Sequence, residues 1–90
     1  MPNIVTIMGY KVYFWMNENG EPIHVHVSKG KPSQNATKLW MASNGGFVTC
    51  HNKSRIPKHD LQKIISYLVV NNITIVNMWY DTFGYVKYYC

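Results

Sequence analysis

The sequence predicts an α+β fold, in which an antiparallel sheet of about four strands (residues 10–50) is followed by two helices packed on one face. Two observations support this class. Residues 10–50 contain short runs of aromatic and β-branched side chains, separated by turns rich in glycine and asparagine. Beyond Pro57 the apolar residues recur at the spacing of a helix. The 90 residues suit a single small domain, 1–90.

Four strands with short connections are expected to form a meander. The predicted strands are residues 11–16, 23–28, 36–41 and 47–50. Asn19-Gly20 is predicted to form a turn in the connection between the first two strands, because this pair accepts positive φ. The run Ser43-Asn44-Gly45-Gly46 is a strong turn before the last strand.

The two predicted helices cover about residues 57–70 and 72–83. Pro57 suits the first position of a helix, and Leu61, Ile64 and Leu68 then form one apolar stripe. Residues 73–83 fit a helical face, but Ile73-Thr74-Ile75-Val76 also has strong strand preference. From local pattern alone, this segment stays open between helix and strand.

Positive charge is concentrated in the middle of the chain. The net charge is +5, and no acidic residue occurs between Glu21 and Asp60. That stretch contains all four histidines and six of the nine basic residues. We expect its cations to form one contiguous face that binds RNA, DNA or a phosphorylated small ligand. The predicted binding residues are Lys29, Lys31, Lys38, Lys53 and Arg55. Lysines that merely solubilise an aromatic-rich surface would explain the same charge.

Several classes of protein do not fit the sequence. No apolar run is long enough for a membrane span, so no membrane partner is expected. The first residues lack the pattern of a signal peptide. Cys50 and Cys90 do not make a disulfide framework. We therefore expect a cytoplasmic protein with reduced thiols.

The stretch His24-Val25-His26-Val27 contains the side chains best suited to catalysis or ligand binding. Side chains alternate along a strand, so both imidazoles should share one face, partly exposed, while both valines pack beneath the helices. Two neighbouring imidazoles can act as acid and base, bind phosphate, or supply two metal ligands. A polar sheet face that simply tolerates histidine is the plain alternative.

Several motifs resemble those of a prokaryotic family of small proteins, the domain of unknown function numbered forty-one sixty. They are the opening Met1-Pro2-x-Ile4, the core Pro22-x-His24-x-His26, and the later Ile56-Pro57, Asn71-Asn72, Trp79 and Phe83-Gly84. The resemblance extends to about Gly84 and implies a β-rich N-terminal half followed by two helices. Glu18-Asn19 stands where the family usually has Asp-His, so one frequent family histidine is missing here.

The resemblance also bears on function. Genes of this family often lie beside another small uncharacterised domain, which suggests paired modules of the toxin–antitoxin kind. We therefore expect a protein directed at nucleic acid or nucleotides, as the effector of such a pair, acting through a cationic, histidine-bearing sheet face. As an enzyme it would perform ribonuclease-type chemistry without metal or other cofactor, with His24 and His26 as catalytic residues. The alternative is a non-enzymatic module that binds a phosphate ligand or interacts with another protein. The expected protein partners are a small protein encoded nearby and a second copy of the chain in a homodimer.

Overall fold

The computed structural model describes residues 3–18 and 20–90. Its elements are β1 (Asn3–Ile7), β2 (Tyr10–Tyr13), β3 (His24–Lys29), β4 (Thr37–Met41), β5 (Phe47–His51), α1 (Lys58–Val70) and α2 (Asn72–Phe83). Met1-Pro2 of the family motif and Asn19 of the expected turn lie outside the described residues.

The strands form one antiparallel meander in the order β1-β2-β3-β4-β5, which confirms the α+β class. The sheet has five strands rather than about four, because β1 precedes the first predicted strand. Met8 and Gly9 have φ of 54° and 81°, which is the left-handed conformation of a tight hairpin turn between β1 and β2. The strand predicted to run to residue 16 ends at Tyr13, where the chain leaves the sheet as a loop.

Both helices pack on the same face of the sheet. Val25 and Val27 of β3 are fully buried there, as the alternation predicts. The same core contains Phe14, which directly follows β2, together with Val12, Leu39 and Met41 from the sheet and Ile64, Leu68, Ile75 and Trp79 from the helices. The ambiguous segment is helical, and the aromatic packing shows why: Trp79 lies 4.9 Å from the Phe14 ring, centroid to centroid. Tertiary packing thus outweighs the strand preference of residues 73–76.

Gly84 ends α2 in the left-handed conformation (φ 81°), and its N–H donates to the Tyr80 carbonyl at 2.7 Å. The chain then returns to the sheet, where the Ile23 N–H donates to the Lys87 carbonyl at 2.7 Å. Within the described part of the chain, neither helix has the length and apolar character that crossing a membrane requires.

Candidate functional site

A row of polar side chains crosses the sheet face opposite the helices, which we call the open face. Tyr13 of β2 pairs with His26 of β3, and His26 pairs with Lys38 of β4. Lys38 in turn pairs with His51 of β5. Neighbouring strands are about 4.8 Å apart, so His26, Lys38 and His51 span about 10 Å. We call these three residues the polar row.

A β-bulge brings His51 into this row. The register between β4 and β5 shifts between Lys38 and Leu39, since Leu39 pairs with Thr49 but Lys38 pairs with His51. Cys50 is therefore the extra residue of the bulge. An unbroken register would have paired Lys38 with Cys50 and turned His51 to the other face.

The loop after β2 places a carboxylate against both imidazoles. Glu18 Oε2 lies 2.6 Å from His24 Nε2 and 2.7 Å from His26 Nε2. The other carboxylate oxygen accepts the Trp15 N–H at 2.7 Å. Burial alone would raise the pKa of the Glu18 carboxyl, but the hydrogen bonds from His24, His26 and Trp15 outweigh burial and hold the pKa well below its usual range. Glu18 is therefore an anion.

His24 is completely buried, which corrects the expectation that both histidines are partly exposed. Its ring lies 5.2 Å from the Trp79 ring and 5.4 Å from the Trp40 ring. Its Nδ1 lies 2.8 Å from the Pro22 carbonyl oxygen. Trp79 of α2, Trp40 of β4 and the Glu18 loop thus cover His24, whereas the His26 side chain keeps 13% of its surface exposed. Of this pair, only His26 can contact a ligand that approaches the open face.

Lys38 is held in place by charge and by an aromatic ring. Its Nζ lies 2.9 Å from Glu21 Oε1 and 4.2 Å from the centre of the Trp40 ring. Tyr89 stacks on that same ring at 5.1 Å. These contacts orient the ammonium group beside His26, and the exposed Glu21 carboxylate partly neutralises it.

His51 is a neutral imidazole in a cationic setting. Burial lowers its pKa, and the positive charges of Lys53, Lys38 and His26 lower the pKa further. Within the described part of the chain, His51 Nδ1 is buried and has no hydrogen-bond partner. The ring therefore carries an unused hydrogen-bonding nitrogen next to Lys38.

The other predicted binding residues gather at one end of the sheet. Lys29 ends β3, Lys31 follows it, and Lys53 and Arg55 lie just beyond β5. All four side chains are exposed. Because β3 and β5 are both antiparallel to β4, they run in the same direction and finish at the same end of the sheet. We call these four residues the cationic rim.

Two polar side chains fix the loop that carries Lys53 and Arg55. Asn52 accepts the Ile56 N–H at 3.0 Å, and Ser54 donates to the Asn35 carbonyl at 2.7 Å. Arg55 takes a left-handed conformation (φ 55°), and its N–H donates to the Asn52 carbonyl at 3.0 Å. The rim is thus built on an anchored loop.

Sequence reasoning named His24, His26, Lys38 and the four rim residues as candidates, but it named neither Glu18 nor the position of His51 beside Lys38. No nearby carboxylate was expected for the histidine pair, yet Glu18 precedes His24 by only six residues. A long loop between two paired strands was the available signal, because such a loop can fold back over the face it leaves. The bulge that turns His51 toward Lys38 contains no glycine or proline from which it could be predicted.

Comparison with known proteins gives one result. A family model described as "Domain of unknown function (DUF4160)" matches residues 9–80. No curated protein and no solved structure matches the chain. The match includes β2 to β5, α1 and most of α2. It also covers Glu18, both histidines of the core motif, and the polar row.

Proposed function

The chain belongs to the DUF4160 family, and we propose that it binds single-stranded RNA along the open face. The observation that carries this proposal is that the polar row and the cationic rim lie side by side. His26, Lys38 and His51 form a continuous cross-strand line. The rim lies to one side of this line, at the end of the sheet where β3 and β5 finish. An RNA backbone is a linear array of anions, which suits a row and a rim better than a single point of charge.

The polar row offers donors for phosphate oxygens. Lys38 supplies an ammonium group, and the rings of His26 and His51 supply N–H groups. The Lys38–Glu21 pair does not prevent this role, since the Glu21 side chain is 44% exposed. Because the Glu21 side chain is the exposed member of the pair, it can turn into solvent when a phosphate approaches Lys38.

Aromatic side chains beside the row favour a single strand over a duplex. Trp15 is 36% exposed, and its ring meets Tyr13 edge to face at 5.3 Å, which fixes its orientation. Tyr89 is also exposed where it stacks on Trp40. Unpaired bases stack on such rings with little sequence preference, whereas bases inside a duplex are not accessible to them.

The salt dependence of binding tests the proposal. Fluorescence anisotropy would measure the affinity for a labelled single-stranded RNA at several salt concentrations. Each phosphate contact on a single strand contributes about −0.7 to the slope of log K against log salt. The variant Lys53→Gln/Arg55→Gln should therefore bind more weakly and reduce the slope by about 1.4. Glutamine keeps the left-handed strain at position 55 equal to that of arginine.

A matched control removes the same charge elsewhere. Lys63 and Lys87 are exposed and lie outside the row and the rim, so Lys63→Gln/Lys87→Gln should keep the wild-type slope. Equal slopes for the two double variants would remove the rim from the proposal. Absence of RNA binding at low salt, or tighter binding to duplex DNA, would overturn the proposal itself.

The same assay separates binding from cleavage. Electrophoresis of the RNA after incubation shows whether it stays intact. Cleavage lost in both His26→Gln and His51→Gln would assign these two residues as acid and base, and growth arrest on expression would support an effector role. Intact RNA would establish the non-enzymatic alternative.

A further inference from the structure

Three potential metal-ligand atoms lie close together at the β3 end of the polar row. They are Glu18 Oε2, His24 Nε2 and His26 Nε2, and the ligand atoms of these three residues all lie within 4.8 Å of one another. We infer that Glu18, His24 and His26 form a binding site for a divalent first-row transition metal ion. Two imidazoles and one carboxylate are the donor set typical of zinc and iron(II) sites.

The orientation of His24 supports the inference. Its Nδ1 lies 2.8 Å from the Pro22 carbonyl, which can only accept a hydrogen bond, so Nδ1 carries the proton. Nε2 is then the atom left to face Glu18. Metal-binding histidines usually donate the second ring N–H to a carbonyl or carboxylate in this way, because that bond fixes the ring and its tautomer.

Hydrogen-bond accounting points in the same direction. Without an ion, His24 lies between two acceptors, the Pro22 carbonyl and the Glu18 carboxylate, and must hold a proton on both nitrogens while fully buried. The same carboxylate oxygen must also accept a bond from His26. A metal ion satisfies all three ligand atoms at once and leaves His24 a neutral ring.

The site can open far enough for an ion. Metal–nitrogen and metal–oxygen bonds of about 2.0–2.2 Å place neighbouring ligand atoms ~3.3 Å apart in a tetrahedron. The present separations of 2.6 and 2.7 Å must therefore widen by roughly 0.6 Å. Glu18 belongs to the loop between β2 and β3, so it can retreat without breaking the strand ladder.

Three protein ligands leave at least one position on the ion for water or a phosphate oxygen. His26 is both a ligand and a member of the polar row, so an ion here would add positive charge beside Lys38. The inference does not rest on RNA binding, because the donor set alone carries it.

Metal titration tests the site in the absence of RNA. Zn²⁺ and Co²⁺ would be added to reduced protein, with calorimetry for Zn²⁺ and visible absorption for Co²⁺. We expect one ion per chain and a higher melting temperature with Zn²⁺. Glu18→Gln and His26→Gln should each weaken the affinity ~100-fold or more, because losing a side chain that only hydrogen-bonds a metal ligand already costs about 10–100-fold. His59→Gln, an exposed histidine on α1, should bind as the wild type does.

A measurement on the wild type guards against variants that do not fold. In the NMR spectrum, Co²⁺ should shift the ring signals of His24 and His26 most strongly. Absence of Zn²⁺ and Co²⁺ binding would overturn the inference, and so would binding that survives Glu18→Gln but is lost in His51→Gln. The Lys53→Gln/Arg55→Gln variant should bind Zn²⁺ normally, so failure of the RNA proposal and failure of this one give different results.

Discussion

His24 and His26 share one acceptor atom, Glu18 Oε2, but their surroundings differ. His24 is enclosed by Trp40 and Trp79 and bound to the Pro22 carbonyl. His26 lies over Tyr13, with ring centres 5.6 Å apart, and reaches the surface. The shared oxygen connects both residues to the Glu18 loop. They differ in burial, because the His24 imidazole is enclosed and the His26 imidazole is accessible from the open face.

This division predicts unequal effects on stability. His24→Ala leaves a cavity, removes the partner of the Pro22 carbonyl and takes one of two imidazole partners from Glu18 Oε2, so it should lower the free energy of unfolding by about 3 kcal/mol. His26→Ala removes a partly exposed ring and should cost about 1 kcal/mol. Urea unfolding in the presence of a chelator would measure both, so that metal binding does not contribute. Equal losses would contradict the burial difference described for the two rings.

At the residue scale, alternation was sufficient to predict which side chains share a face with the histidines. Val25 and Val27 lie in the core as expected, because a half-buried strand has a period of two. Burial of His24 was not predictable, since it depends on Trp79 from a distant helix and on the Glu18 loop. The period of two predicts the face of the sheet toward which a side chain points, but its exposure depends on residues that are distant in the sequence.

At the scale of elements, β2 and α1 are joined by a hydrogen bond from the Tyr10 hydroxyl to Asp60 at 3.0 Å. Asp60 lies in the first turn of α1, where a negative charge also suits the helix dipole. The bond therefore links the sheet to the start of the helical layer. Burial raises the pKa of Tyr10, and the hydrogen bond and negative charge of Asp60 raise the pKa further.

Tyr10→Phe should lower the free energy of unfolding by about 1 kcal/mol at neutral pH. A pKa that is raised in the folded state stabilises the protein below the unfolded value, near 10, and this stabilisation is lost as the pH rises through the folded value. The difference between Tyr10→Phe and wild type should thus be constant from about pH 7 to 9 and shrink above pH ~10. Tyr67→Phe, on the exposed side of α1, should change little. A difference that grows at high pH would contradict this assignment.

Most elements were predictable because each has a local signal. Pro57 and the stripe after it placed α1 within one residue of its observed start. β1 was missed although Ile4-Val5-Thr6-Ile7 is rich in β-branched residues, since its partner depends on the Met8-Gly9 turn. The β5 bulge is set by pairing with β4 rather than by the sequence of β5, and it decides that His51 joins Lys38.

At the scale of the whole molecule, residues 85–90 connect the end of the chain to both sides of the site. The Tyr85 hydroxyl accepts the Gly20 N–H at 2.7 Å, next to the Glu18 loop. The Tyr89 N–H donates to the Met41 carbonyl at 3.0 Å, and the Cys90 carbonyl accepts the Ser43 N–H at 2.9 Å. With the Ile23–Lys87 bond, the segment fastens the start of β3 to the end of β4.

Removing residues 85–90 should therefore lower the free energy of unfolding by about 4 kcal/mol, since three backbone hydrogen bonds of about 1 kcal/mol each are lost together with the stacking of Tyr89 on Trp40, which contributes about 1 kcal/mol. Within the segment, Tyr89→Ala should cost about 1 kcal/mol because its stacking on Trp40 is lost. Tyr88→Ala is the matched control, and as an exposed tyrosine it should stay within about 0.5 kcal/mol of wild type. Urea unfolding followed by tryptophan fluorescence would measure all three variants. If the shortened chain were as stable as the wild type, or if the two tyrosine variants were alike, residues 85–90 would not be fastening the strands around the site.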